Sequence, residues 1–302
     1  MTSNILDSGI ILKIQNKIIV NFNDNHPTKE ECEYIKAKFK KIDLAFIPCG
    51  GGSGYPAMYE NISLSDKEKI VQETLSNFDL MFSNAVDILK PDMAVPVAGG
   101  FAIRGNHPLE TNYLQIRHLD ENKTLNFHNK KGSHQGTKIF LMQPGMELDV
   151  DKKEITKGEY KVWNQEELDA YFKKLSSEKI ETKVKSTKKI PNLLNMLKLA
   201  RNNMWDGQNR NNMFLDYTIY IENSCSTEIF EIPVNENEVF QVEKVNEKNS
   251  YLKLSLSQDT LLEWLLGYED FNMLDSGHRI SFYRKPNDYF VEAYYILSLF
   301  RL

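Results

Sequence analysis

Short apolar runs alternate with amphipathic stretches over the first hundred residues of the chain. The β-branched runs Ile10–Ile14 and Ile18–Phe22 predict a hairpin or two adjacent strands. Asp43–Pro48 and Met93–Val97 are almost entirely apolar, which predicts strands that are covered on both faces. The stretches between them have apolar residues at helical spacing, so the order β-β-α-β-α-β predicts an α/β layered unit.

Two capping boxes mark where the helices of this unit are expected to begin. Thr28 opens a T-x-x-E sequence before a helix with Cys32 and Ile35 on its apolar face. Ser65 opens a second box ahead of a long helix, which Pro91 ends.

The pattern changes in the second half of the chain. Leu119–Thr137 is polar and predicts a long exposed loop, and Lys138–Met142 predicts a strand. The charged stretch that follows predicts one helix, around Gln165–Leu175. From Pro191 onward we expect an α+β unit with a mostly antiparallel sheet. Its predicted elements are a helix at Leu193–Asn202, strands at Phe214–Glu222, Glu228–Pro233, Val239–Val245 and Tyr251–Leu256, a helix at Thr260–Leu266, a strand at Arg279–Arg284 and a helix at Asp288–Phe300. We therefore divide the chain into residues 1–150, a charged linker region at 151–190, and a C-terminal domain at 191–302.

Composition narrows the classes of function. The net charge of −5 argues against broad electrostatic binding to nucleic acid or to a membrane surface. The three cysteines form no CxxC pair, which favours a reducing compartment over a disulfide framework. No apolar run approaches the roughly 20 residues that span a bilayer, and the N-terminus has no basic segment ahead of an apolar core. We expect a cytoplasmic protein.

Asp24 is the first candidate for chemistry, because it follows a predicted strand. Carboxyl ends of strands in layered α/β sheets are where sites are usually built, and a carboxylate is a ligand for divalent metals. The alternative is an ordinary turn, where Asn and Asp form local hydrogen bonds. The six histidines provide no local metal clamp, since none forms HxH, HxxH or HxxxH; they are His26, His107, His118, His128, His134 and His278.

The most unusual local sequence is the glycine-rich loop after the strand at Asp43–Pro48. Glycines let backbone N–H groups approach an anion closely, although the loop is neither a Walker A sequence nor a dinucleotide-binding fingerprint. The alternative is a mobile connection. We predict a substrate-binding loop made of Gly50, Gly51, Gly52, Ser53, Gly54, Tyr55 and Tyr59.

Several collinear segments resemble the metallo-β-lactamase superfamily, and within it the CMP-N-acetylneuraminate hydroxylase group. They are NFNDN, DLAFIPCGGGSGYPAMYENISLSDKEK, LKPDMAVPVAGGFAIRG, QPGMELDV and the C-terminal DSGHRISFYRKPNDYFVEAYYILSLF. The resemblance implies the second half of an αββα sandwich followed by a smaller α+β domain. Asp24 matches the aspartate that bridges metals in that superfamily, while Ala98 stands where many members have a histidine.

The resemblance also implies that the metal site is incomplete in this sequence. The superfamily's first half supplies an HxHxDH motif, which is absent here, and zinc sites need three or four protein ligands. We therefore expect a split enzyme, a hydrolase or hydroxylase-like protein acting on a small anionic substrate, such as a nucleotide sugar or another phosphorylated compound. A partner chain would carry the HxHxDH half and share a zinc or iron ion, and the isolated chain would hold none.

The alternative is a non-catalytic binding or scaffold subunit with a degenerate metallo-β-lactamase half. The C-terminal part is also similar to sterol-carrier-like modules, with a strand, an S-x-x-T-L-x-x-x-L-L-G helix from Ser257 to Gly267, and a further strand after Gly277. That similarity implies an apolar ligand, although the same residues also suit an ordinary core.

Overall fold

The computed structural model describes residues 9–105, 107–115, 122–132, 136–184, 192–226, 228–247 and 250–302. The chain is mixed α/β and divides into two compact units. The first runs to Gly52 and resumes from Lys67 to Glu178, and the second consists of Ser53–Asp66 and Lys179–Leu302. This division differs from the predicted boundaries at residues 150 and 191, because the charged stretch up to Glu178 lies within the first unit. His118, His134 and Pro191 lie outside the described residues.

A five-stranded sheet organises the first unit. Its strands are β1 (Ile10–Ile14), β2 (Lys17–Asn21), β3 (Leu44–Pro48), β4 (Met93–Val97) and β5 (Lys138–Ile139), and they lie in that order across the sheet. β1 and β2 form an antiparallel hairpin, whereas β2, β3, β4 and β5 are parallel. All five strands were predicted, although β5 is shorter than expected.

Two helices cover one face of this sheet. α1 (Lys29–Lys38) and α2 (Leu64–Leu89) pack on alternate strand residues such as Val20, Ala45 and Ile47, which are almost fully buried. The predicted capping box at Thr28 is confirmed. The predicted cap of α2 at Ser65 is wrong: that residue lies inside the helix, and the Ser63 hydroxyl accepts from the Asp66 amide at 3.2 Å.

The other face of the sheet carries Leu44, Met93 and Val95, packed against a small antiparallel hairpin of β6 (Glu147–Asp149) and β7 (Glu154–Lys157). Three further helices complete the unit: α3 (Leu109–Gln115), α4 (Asn122–Lys131) and α5 (Gln165–Ser177). The helix predicted around Gln165 is confirmed.

The predicted exposed loop between residues 119 and 137 is wrong, because α4 occupies much of it. α4 buries Thr124 and His128, and the Thr124 hydroxyl donates to the buried Asp79 carboxylate at 2.8 Å. A helix whose buried face is polar gives no hydrophobic period in the sequence.

The second unit contains a mostly antiparallel sheet, as predicted. Its elements are α6 (Leu193–Asn211), β8 (Thr218–Asn223), β9 (Glu228–Pro233), β10 (Phe240–Val242), β11 (Tyr251–Leu256), α7 (Gln258–Leu265), α8 (Phe271–Ser276), β12 (Ser281–Lys285) and α9 (Val291–Leu297). The strand order is β10-β9-β8-β11-β12, and only the β8–β11 pair in it is parallel. The terminal helix is shorter than predicted, and α8 was not predicted.

Aromatic side chains fill much of the second unit's interior. Trp264, Phe282 and Phe300 are buried, and the Trp264 ring lies 5.3 Å from that of Phe300. Within the described segments of both units, no helix is long and apolar enough to cross a membrane.

Candidate functional site

Three turns follow the carboxyl ends of β2, β3 and β4 in the first unit. Because these strands are parallel and adjacent, the turns meet at one edge of the sheet, the edge where α/β sheets usually build sites. Backbone hydrogen bonds tie the turns together: Phe22 donates to Phe46 at 3.1 Å, and Cys49 donates to Val97 at 2.9 Å. The three turns therefore lie at one edge of the first unit's sheet.

Asp24 lies in the turn after β2, and its side chain is exposed. The preceding residue, Asn23, has a left-handed backbone with φ of 55°, and its amide donates to the Asn21 side chain at 2.8 Å. This turn presents the Asp24 carboxylate at the carboxyl-terminal edge of the sheet. The carboxylate is therefore accessible to a ligand or a partner.

His26, two residues further on, is held by two contacts. Its Nε2 lies 2.8 Å from the Gly50 carbonyl oxygen, and its ring stacks on Phe78 with 4.5 Å between centroids and 2° between planes. Burial lowers the pKa of His26, while the hydrogen bond to Gly50 and the charge of Asp24 partly oppose this effect. The His26 residue is only partly exposed. Phe78 is distant in sequence, so no local signal marks the contact.

Two buried polar atoms in this turn have no hydrogen-bond partner among the described residues. They are Nδ2 of Asn25 and Nδ1 of His26. Buried polar side-chain atoms are nearly always paired, so each exception calls for an explanation, such as a bound water, ion or ligand.

The predicted substrate loop is divided between the two units. Gly50, Gly51 and Gly52 belong to the first. No backbone carbonyl among the described residues accepts a hydrogen bond from their three amides. A Cβ on Gly51 would lie 3.1 Å from the Phe78 ring, so this glycine allows the loop to pass close to that side chain.

Ser53, Gly54, Tyr55 and Tyr59 belong to the second unit. The Gly54 amide donates to the Asp275 carboxylate at 3.2 Å, and a Cβ on Gly54 would lie only 2.6 Å from the same oxygen. Burial raises the pKa of Asp275 to about 6, against opposing hydrogen bonds from Gly54 and Ser53. The anion that approaches Gly54 is therefore a side chain of the protein itself.

The two predicted tyrosines enclose an arginine that the sequence did not single out. The Arg284 guanidinium lies 4.9 Å from the ring centroids of both Tyr55 and Tyr59. Tyr59 is only 2% exposed, stacks on Phe282 and contacts the Tyr294 hydroxyl. Tyr59 is thus a core residue of the second unit, which does not suit its predicted role as a substrate contact.

No group of three or more His, Cys, Asp or Glu side chains in the described parts of the chain is arranged to hold a metal ion. The residues present nevertheless fit a partial ligand set. Asp24 supplies an exposed carboxylate, and His26 supplies an unpaired ring nitrogen in the same turn. A metal would need further ligands from elsewhere.

No protein-family model matches this sequence. No curated protein matches it either.

Proposed function

We propose that this chain is one subunit of a split, metal-dependent enzyme of the metallo-β-lactamase type. In this proposal the first unit forms the second half of an αββα sandwich, and a partner chain carries the HxHxDH half. The proposal begins from the sequence resemblance described above. The structural observation that carries it is the exposed aliphatic strand β1.

β1 is the edge strand of the first sheet, and all five of its residues are exposed. Its four aliphatic side chains are exposed to between 37% and 53%; they are Ile10, Ile11, Leu12 and Ile14. Completely burying one such side chain is worth about 1.5–3 kcal/mol, so covering these half-exposed ones would yield about 1 kcal/mol each. Unprotected apolar edge strands favour pairing with another chain, and this gain supports a partner on β1.

Asp24 is the residue that we assign to the metal. In the assembled enzyme it would hold a zinc or iron ion together with ligands from the partner's HxHxDH half. The bound ion would polarise the substrate and lower the pKa of a bound water. Asp24 suits this role because its carboxylate is exposed at the carboxyl-terminal edge of the sheet.

The substrate would be a small anion, such as a nucleotide sugar or another phosphorylated compound. Support comes from Gly51 and Gly52, which are at least partly exposed and whose amides donate to no backbone carbonyl among the described residues. Neighbouring backbone amides of this kind orient an anion by donating hydrogen bonds to it. Gly50, Gly54 and Tyr59 have no part in this role, because Gly50 and Tyr59 are buried and the Gly54 amide is engaged by Asp275.

The test is to co-express this chain with the chain that a neighbouring reading frame encodes with HxHxDH, and to measure zinc and iron in the purified complex. Asp24→Asn should lower the metal content, because it removes a charged ligand. Asp206→Asn, an exposed aspartate on α6 in the second unit, is the matched control and should leave the content unchanged. Full metal occupancy in the Asp24 variant would show that Asp24 is not a metal ligand. A stable complex without metal would favour the alternative, a non-catalytic scaffold subunit.

A further inference from the structure

We infer that His26, through Nδ1, is a second metal ligand that this chain provides beside Asp24. The inference rests on the proposed function, since it concerns the same metal. It adds a residue that the sequence resemblance does not assign, and its evidence is the hydrogen bonding of one imidazole ring.

The contact with Gly50 fixes which nitrogen carries the proton. Nε2 lies 2.8 Å from the Gly50 carbonyl oxygen, and a carbonyl only accepts, so Nε2 is the protonated donor of the neutral ring. Nδ1 then carries the free lone pair. Metal-binding histidines almost always donate their other N–H to a carbonyl, a carboxylate or water, and His26 has this arrangement.

The lone pair of Nδ1 accepts no hydrogen bond within the described part of the chain. Nδ1 is buried and has no hydrogen-bond partner there. Leaving a buried polar atom unpaired costs about 1–3 kcal/mol, which a purely structural histidine would avoid.

The ring is also held in one orientation. It stacks on Phe78 with an interplanar angle of 2°, and Phe78 lies on the long helix α2. The hydrogen bond to Gly50 prevents rotation within the stacking plane. Asp24 is two residues away in the same turn. The turn after β2 therefore offers one exposed carboxylate and one oriented nitrogen within three residues.

The primary test is a zinc titration of the isolated full chain, with the imidazole nitrogens followed by ¹⁵N NMR. In the metal-free chain, Nδ1 of His26 should show the signal of a bare lone pair. Excess zinc should shift this signal toward that of a metal-bound nitrogen, while the rings of His107 and His278 respond less. An Nδ1 signal that does not move in excess zinc, whether or not zinc binds elsewhere on the chain, would overturn the inference. This measurement uses the natural sequence, so it does not depend on how well a variant folds.

Two variants separate this inference from the proposed function. His26→Phe keeps a ring to stack on Phe78 and removes both nitrogens, and Asp24→Asn removes the carboxylate charge. We expect His26→Phe to lower zinc affinity by at least about tenfold, the loss found even for outer partners of metal ligands. Unchanged affinity in His26→Phe with a loss in Asp24→Asn would sink the His26 inference and leave the proposed role of Asp24 standing. Lower zinc affinity in His26→Phe with unchanged affinity in Asp24→Asn would support His26 as a metal ligand and would exclude Asp24.

Discussion

Replacing Gly54 by alanine should destabilise the second unit, because the space for a Cβ is already occupied. The new carbon would lie 2.6 Å from the Asp275 carboxylate oxygen and 3.1 Å from the Asp275 backbone oxygen. The carboxylate is short, largely buried and hydrogen-bonded to Gly54, so it has little room to move. Overpacking of this kind typically costs about 1–3 kcal/mol.

Gly52 provides the matched control in the same loop. A Cβ there would lie 3.7 Å from the Phe101 ring, which is ordinary van der Waals contact, and the residue is exposed. Gly52→Ala should change the free energy of unfolding by no more than about 0.5 kcal/mol. Neither glycine has a positive φ, so backbone strain does not distinguish the two substitutions.

The assay is urea unfolding followed by tryptophan fluorescence. Trp205 and Trp264 both lie in the second unit, whereas Trp163 lies in the first. The transition that Trp205 and Trp264 report should move to lower urea in Gly54→Ala and stay in place in Gly52→Ala. Equal stability of the two variants would refute the claim that Gly54 is required by its approach to Asp275.

Two further predictions concern a carboxyl group and an edge strand. Because burial raises the pKa of Asp275 from its usual 3.8 to about 6, the folded state binds the proton more tightly than the unfolded state. The stability that the protonated carboxyl contributes is present in full below about pH 4 and is lost as the pH rises through 6, a change of roughly 3 kcal/mol. Urea unfolding from pH 4 to pH 7 should show this loss in the wild type but not in Asp275→Asn, and parallel curves would contradict it. The double variant Leu12→Lys/Ile14→Lys should fold, since both side chains are exposed, but should no longer co-purify with the HxHxDH chain. Lys13→Glu is its control on the same strand, and co-purification of the double variant at wild-type yield would exclude β1 from the interface.

The spacing of hydrophobic residues predicted most of the helices and strands, because the residues that these elements bury are the apolar ones. β3, β4, β9 and β11 have the apolar or alternating residues that a covered strand requires, and their bounds agree with prediction to within one residue. α4 was missed because two of the residues it buries, Thr124 and His128, are polar. The spacing of hydrophobic residues cannot reveal a helix whose buried side chains are polar.

Only those features of the candidate site that depend on residues close together in the sequence could be predicted. Asp24 and the glycines stand at the carboxyl ends of strands, and topology alone brings them to one edge. The partners of the loop could not be predicted, since 221 residues separate Gly54 from Asp275. The same holds for the stacking of His26 on Phe78 and of Arg284 on Tyr55. These long-range contacts determine which glycines of the loop are accessible to a ligand and which are engaged in contacts within the protein.

The central claim is that this chain holds a catalytic metal only together with a partner that carries HxHxDH. The most direct test is elemental analysis of zinc and iron in the chain purified alone and in the chain co-purified with that partner. The account predicts that the chain alone, which binds zinc only weakly and when zinc is in excess, retains no metal through purification, and that the pair retains at least one ion per complex. Equal metal content in both preparations, or a stable pair with no metal, would contradict it.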